Sequence, residues 1–137
     1  MKVLCIYLGF KMCFSYLIYL LLKDKFKAVN IKFKKKTLKV LLADSFFKRA
    51  IGLMYRKNLK EDGMLFVFKK EGNYTITMRN MYFGIDVFWL DKKGRIQEIA
   101  SLEPSLFYYK PKNKSKYILE LKKNKIRAKI GESFDLH

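Results

Sequence analysis

Apolar residues along this chain fall into one long block and then a series of short runs of strand length. The block, residues 3–22, carries Lys11 as its only charge. A helix of that length approaches the thickness of a bilayer, although a lysine near its middle costs about 2.5–3.5 kcal/mol on insertion scales. An interrupted span is one reading. Another takes residues 1–11 as a basic n-region and residues 12–22 as the h-region of a signal segment. Lys23, Asp24, Lys25, Phe26 and Lys27 offer no small-x-small cleavage pattern, so such a segment stays attached. A third reading folds the block onto the domain as a buried or amphipathic helix. The expectation is an N-terminal hydrophobic membrane anchor over residues 1–24, spanning once, and a single mostly-β domain over residues 25–137.

Beyond the block the hydrophobic period shortens to two. Residues 28–33 and 37–43 read as a hairpin turned through Lys34, Lys35 and Lys36. GMLFVF, residues 63–68, is uncharged and rich in aromatic and β-branched side chains, as in a buried strand, with turn residues after it at 69–73. Tyr74, Ile76 and Met78 alternate with Thr75, Thr77 and Arg79, which predicts one dry and one wetter face. Residues 85–90 and 95–102 predict an antiparallel pair across Asp91-Lys92-Lys93-Gly94, with Gly94 free to take positive φ. Residues 117–121 and 130–136 supply the last strands. Asp44 suits the N-cap of one short helix that sets Phe46, Phe47, Ala50 and Ile51 on one face and ends at Gly52. The expected fold is mainly β (α+β): a small curled sheet or partly open β-barrel with one short helix, preceded by the N-terminal hydrophobic helix.

The order Arg49, Gly52-Leu53-Met54, Arg56, Leu59, residues 63–68, Met78-Arg79-Asn80, Asp86 and Phe88 resembles the prokaryotic family catalogued as "domain of unknown function 192", over roughly residues 28–136. Thr77, Met81 and Gly84 depart from its usual Trp, Thr and Pro, and the stretch between Glu120 and Gly131 is shortened. The resemblance implies a compact, mainly β domain behind an export or anchor segment, hence the outer face of the membrane, and no established activity. The lysines after the block pull the other way, since positive flanks tend to stay cytoplasmic.

Charge narrows the partners. Thirty Lys and Arg face twelve Asp and Glu, a formal net charge of +18. That field favours anionic lipid, polysaccharide or nucleic acid. Only five of the basic residues are arginine, the side chain on which specific phosphate and base recognition leans, so nucleic acid is disfavoured and plain solvated surface charge stays open. Both cysteines, Cys5 and Cys13, lie in the apolar block, which removes disulfide, thiolate and zinc–thiolate chemistry from the domain. The single histidine is the terminal His137, and no phosphate-cradling glycine loop occurs. No cofactor or metal is expected; Met54, Met64, Met78 and Met81 read as adaptable core packing rather than a copper(I) set.

The candidate site follows from Asp86, the one charge in an apolar strand. If its face is buried the carboxylate needs a cation, because an isolated buried charge costs several kcal/mol. Arg49, Arg56 and Arg79 are the candidates, Arg49 being favoured. This pairing reads first as a structural tie between helix and sheet, and otherwise as one wall of a polar pocket. Asn80 suits either a cleft or a left-handed turn. Phe107, Tyr108, Tyr109 and Lys110 form an aromatic, basic loop suited to a bilayer interface, sugar stacking or single-stranded nucleic acid, or to folding back on the sheet. The tentative ligand-binding set is therefore Arg49, Arg56, Arg79, Asn80, Asp86, Tyr108, Tyr109 and Lys110, in a membrane-tethered binding or accessory module. The competing class is a carboxylate-dependent hydrolase of glycans or lipids, for which Asp86 and Glu120 are the internal pair to compare.

Overall fold

The computed structural model describes residues 14–137; Cys5, Lys11 and Cys13, and with them most of the expected anchor, lie outside the described residues. Helix α1 (Phe14–Leu22) comes first. Strands β1 (Ala28–Phe33) and β2 (Lys36–Ala43) form the expected hairpin. Helix α2 (Phe46–Ile51) follows, then β3 (Gly63–Gly72), β4 (Ile76–Thr77), β5 (Ile85–Leu90), β6 (Ile96–Leu102), β7 (Tyr108–Tyr109) and β8 (Ser115–Lys122).

Six strands make one mixed sheet in the order β1-β2-β3-β8-β5-β6, and β4 pairs with β7 in a separate two-stranded ribbon. Among the described strands only the β2–β3 pair is parallel. Parallel neighbours cannot be joined by a tight turn, so residues 44–62 cross over the sheet and carry α2 onto one of its faces. That crossover is what covers the site described below.

The sheet does not close into a barrel, contrary to the second of the two forms expected. Its edges β1 and β6 do not pair with each other. The C-terminal segment instead touches both neighbourhoods through single bridges, Lys32 with Asp135 and Arg95 with Ser133, where a full strand over residues 130–136 is expected from sequence. Phe134 lies between them, its ring 4.8 Å from that of Phe33 and 5.6 Å from that of Phe88.

Both faces of the sheet are dry. Met64, Phe66, Val87, Trp89 and Ile118 pack with Leu53, Leu59, Ile76 and Met78 on the α2 side. Leu65, Phe88, Leu90, Leu119 and Leu121 pack with Ile31, Leu38, Ile96 and Phe134 on the other. Trp89 is fully buried and its indole N–H donates to the Tyr74 carbonyl at 3.1 Å, so the largest side chain of the core leaves no polar atom unpaired.

Two expectations about α2 need correction. Ser45, not Asp44, is the N-cap, its hydroxyl accepting from the Lys48 N–H. Phe46 and Phe47 do not face the core: they are 69% and 50% exposed, and only Ile51 of this helix is buried. Six residues give too short a helix to bury a full stripe. Gly52 ends it as expected, with φ 50° and ψ −130°. Among the described residues no helix is long and apolar enough to cross a membrane. Tyr16 and Tyr19 of α1 pack against the Tyr55 ring at 5.1 and 5.6 Å.

Candidate functional site

Strand β8 is central in the sheet, and its sequence ILEL, residues 118–121, contains a single acid. Glu120 stands opposite Met64 on one side and Val87 on the other, which sets its side chain on the α2 face. Gly63 permits the close approach of β3 to this strand, since a Cβ there would lie 1.9 Å from the Glu120 carbonyl oxygen. Glu120 is 5% exposed and its carboxyl enters no ion pair or side-chain hydrogen bond among the described residues, where the fully buried atoms without a partner are Arg56 Nε, Arg79 Nε and the Ser115 hydroxyl.

The carboxyl lines a cavity of about 80 Å³ roofed by residues 49–54 of α2 and its C-terminal turn, and walled by Phe66, Thr75, Ile76, Thr77 and Met81. Burial alone pushes the Glu120 carboxyl up to about 8, so at neutral pH it is mostly the neutral acid. A neutral carboxylic acid offers one O–H donor and one carbonyl acceptor. Next to the cavity, sharing Arg49, Ala50, Phe66, Thr75 and Ile76 with it, lies an open groove of about 670 Å³. Phe68 and Tyr74 stack face to face along this groove, centroids 3.6 Å apart and planes at 8°.

Arg49 sits where cavity and groove meet. One terminal nitrogen donates to the Val67 carbonyl at 3.0 Å, and the guanidinium lies 5.4 Å over the Phe68 ring. A guanidinium has five N–H donors in a planar fork, and Val67 uses one. Arg49 is thus the member of the sequence-derived set that does reach the cavity.

Asp86 does not join it. Its neighbours Leu121 and Ser101 put it on the opposite face of the sheet from Glu120. Its carboxylate accepts from the Ser101 hydroxyl at 2.8 Å and from the Asn124 N–H at 3.0 Å, with no cation in an ion pair with it among the described residues. The expected Arg49–Asp86 tie is therefore absent, because helix and carboxylate lie on different faces. For the same reason Asp86 and Glu120 do not form a two-carboxylate constellation.

The remaining candidates have local duties. Arg56 donates to the Lys23 carbonyl at 3.1 Å and lies 5.0 Å over Phe26, and burial foremost draws its guanidinium below the ordinary value. Asn80 takes the left-handed turn at φ 61°, its amide donating to the Tyr55 hydroxyl and its carbonyl accepting from the Tyr55 N–H. The Arg79 backbone N–H donates to the Thr77 hydroxyl, while its guanidinium Nε is buried with no partner among the described residues. Tyr109 donates to Glu98 at 2.8 Å, and that bond, with some burial, raises its phenol above the usual range. Tyr108 and Lys110 are exposed. Thr75, Thr77 and Met81 are the site residues that sequence reasoning misses, and Glu120, named there only as a carboxylate partner for Asp86, is left out of the expected binding set although it carries the same signal: one acid within an apolar strand.

A two-faced mixed sheet with a crossover helix over the buried Glu120 defines a small, mainly β domain with a half-open pocket at that acid. The chain belongs to the DUF192 family, described as an uncharacterized ACR, whose profile matches residues 28–133. It is 34% identical over 83 residues to the UPF0127 protein PH1112 of Pyrococcus horikoshii, covering 59% of this chain and 70% of that one. It is 38% identical over 100 residues to the UPF0127 protein TK1120 of Thermococcus kodakarensis, spanning 72% of this chain but 62% of that relative's length. Among solved structures, a putative transcription regulator from Sinorhizobium meliloti aligns with a TM-score of 0.73 at 24% identity, over 80% of this chain and 94% of that one. A protein of unknown function from Novosphingobium aromaticivorans gives 0.67 at 21%, over 80% and 84%. At such identities these two likenesses show a shared fold.

Proposed function

We propose that this domain is a binding module that takes a small molecule, or the end of a larger one, in the groove beside α2, with a hydrogen-bonding group of the ligand seated against Glu120. The observation that carries this reading is the acid itself: among the described residues no protein group pairs with its carboxyl, and it lines a cavity that adjoins a groove of ligand size. Arg49 supplies free donors at the junction. A ligand with an acceptor such as a carboxamide, carboxylate or phosphate oxygen matches both groups.

The module works at a membrane, tethered through the apolar block at residues 3–22, on its outer face. The length and composition of that block support the tether. The basic surface favours anionic lipid or polysaccharide as the source of the ligand.

A fragment screen read by protein-observed NMR tests the binding reading. Fragments bearing carbonyl or acidic groups are expected to shift the signals of Thr75, Thr77 and Met81, and Glu120→Leu is expected to abolish those shifts while leaving the fold intact. Fragments that shift residues elsewhere, or that act equally on the Glu120→Leu protein, contradict it.

A further inference from the structure

The loop between β6 and β8 ends in an apolar tip that no described residue covers. Leu106, Phe107 and Tyr108 are consecutive and 70%, 82% and 64% exposed. Single exposed apolar residues are ordinary, whereas a contiguous exposed cluster marks an interaction surface. The tip is held in place from below. β7 pairs with β4 through Ile76 with Tyr109 and Thr77 with Tyr108. The Tyr109 ring turns inward, 5.0 Å from Trp89, and its hydroxyl reaches one oxygen of Glu98. The other oxygen accepts the Lys112 N–H at 2.8 Å and the Asn113 N–H at 3.3 Å. Glu98, 9% exposed, spends both oxygens on fixing this loop.

Charge names the partner. Lys110, Lys112 and Lys114 follow the tip, all exposed and none of them in an ion pair among the described residues. The Asn73 amide reaches the Pro111 carbonyl at 3.5 Å, which brings the end of β3, with exposed Lys69 and Lys70, beside the same loop. Glu103, the acid nearest the tip in sequence, is paired with Lys123.

We infer that this loop is a second membrane contact, in which Leu106, Phe107 and Tyr108 enter the headgroup and acyl boundary of an anionic bilayer while the lysines around them engage its headgroups. Aromatic rings with one polar end favour that boundary, and lysines near an anionic surface are drawn to it over about a Debye length. The contact is independent of the Glu120 cavity and of the N-terminal tether, and it would fix how the domain stands on the surface.

The test uses the full chain on vesicles of phosphatidylcholine with or without phosphatidylglycerol, containing lipids brominated along the acyl chain. Two single probes are compared, Phe107→Trp in the tip and Lys35→Trp in the exposed β1–β2 turn; the native Trp89 is buried and serves as a constant background. The Phe107→Trp emission is expected to shift to the blue and to be quenched by the brominated chains, more strongly with phosphatidylglycerol present, while the Lys35→Trp emission stays unquenched. Replacing Lys110, Lys112 and Lys114 by Gln is expected to remove the phosphatidylglycerol dependence. Equal quenching of the two probes, or none at the tip, overturns the inference, as does tip emission that responds to an oligonucleotide or a soluble polysaccharide and not to vesicles.

Discussion

Asp86 and Glu120 occupy the same kind of sequence, one acid among aliphatic and aromatic neighbours in a strand, and their fates differ because of where in the sheet they fall. Asp86 is the second residue of β5, close enough to strand ends for Ser101 and the turn at Asn124 to reach it. Glu120 is in the body of a central strand, and among the described residues no donor reaches its carboxyl. Pattern alone identifies both acids as exceptional, but it does not distinguish the satisfied one from the unsatisfied one, which depends on cross-strand register. The measurable consequence at Asp86 is modest: Asp86→Ala removes two hydrogen bonds at a partly exposed site and is expected to cost about 1–3 kcal/mol, short of the ~3–5 kcal/mol of a broken buried ion pair. Chemical denaturation compares the two directly. A loss at the upper figure would restore a buried cation partner for Asp86.

Among the elements, the crossover between β2 and β3 decides whether there is a site. Alternation in the sequence reveals the strands, because period two is a local property, and six of the eight fall within a few residues of their expected limits. It does not reveal that β2 and β3 run parallel, which is a matter of long-range pairing, and without that α2 cannot be assigned to a face. The exposed Phe46 and Phe47 have the same origin: a helical stripe is legible, but what it packs against is not. Gly52 is the element's weak point. Its φ of 50° with ψ of −130° lies outside the left-handed helical well, and an added Cβ would sit 3.0 Å from Phe66 Cζ. Gly52→Ala and Gly52→Asn are both expected to destabilise the fold by about 1–3 kcal/mol, Asn giving no relief because it tolerates the left-handed helical region rather than this one. Thermal unfolding of the pair checks this; an Asn variant close to the parent would show that Gly52 is not constrained in this way.

As a whole molecule, the domain holds in its core an acid that burial keeps largely uncharged at neutral pH. A carboxyl whose folded value lies above its unfolded one binds a proton more tightly in the native state, so its favourable contribution is complete below about pH 4.5 and fades as pH rises through about 8. The slope from one such group cannot exceed about 1.4 kcal/mol per pH unit. Other titrating groups, the many lysines included, cancel in the difference between two proteins that differ only at this residue. The decisive measurement is the unfolding free energy of the parent and of Glu120→Gln at intervals from pH 5 to pH 8. The parent is predicted to lose stability against the variant steadily across that window, by a few kcal/mol in total. Parallel curves would mean that Glu120 ionises normally in the folded protein, and the pocket would then hold an ordinary carboxylate rather than a poised hydrogen-bond donor.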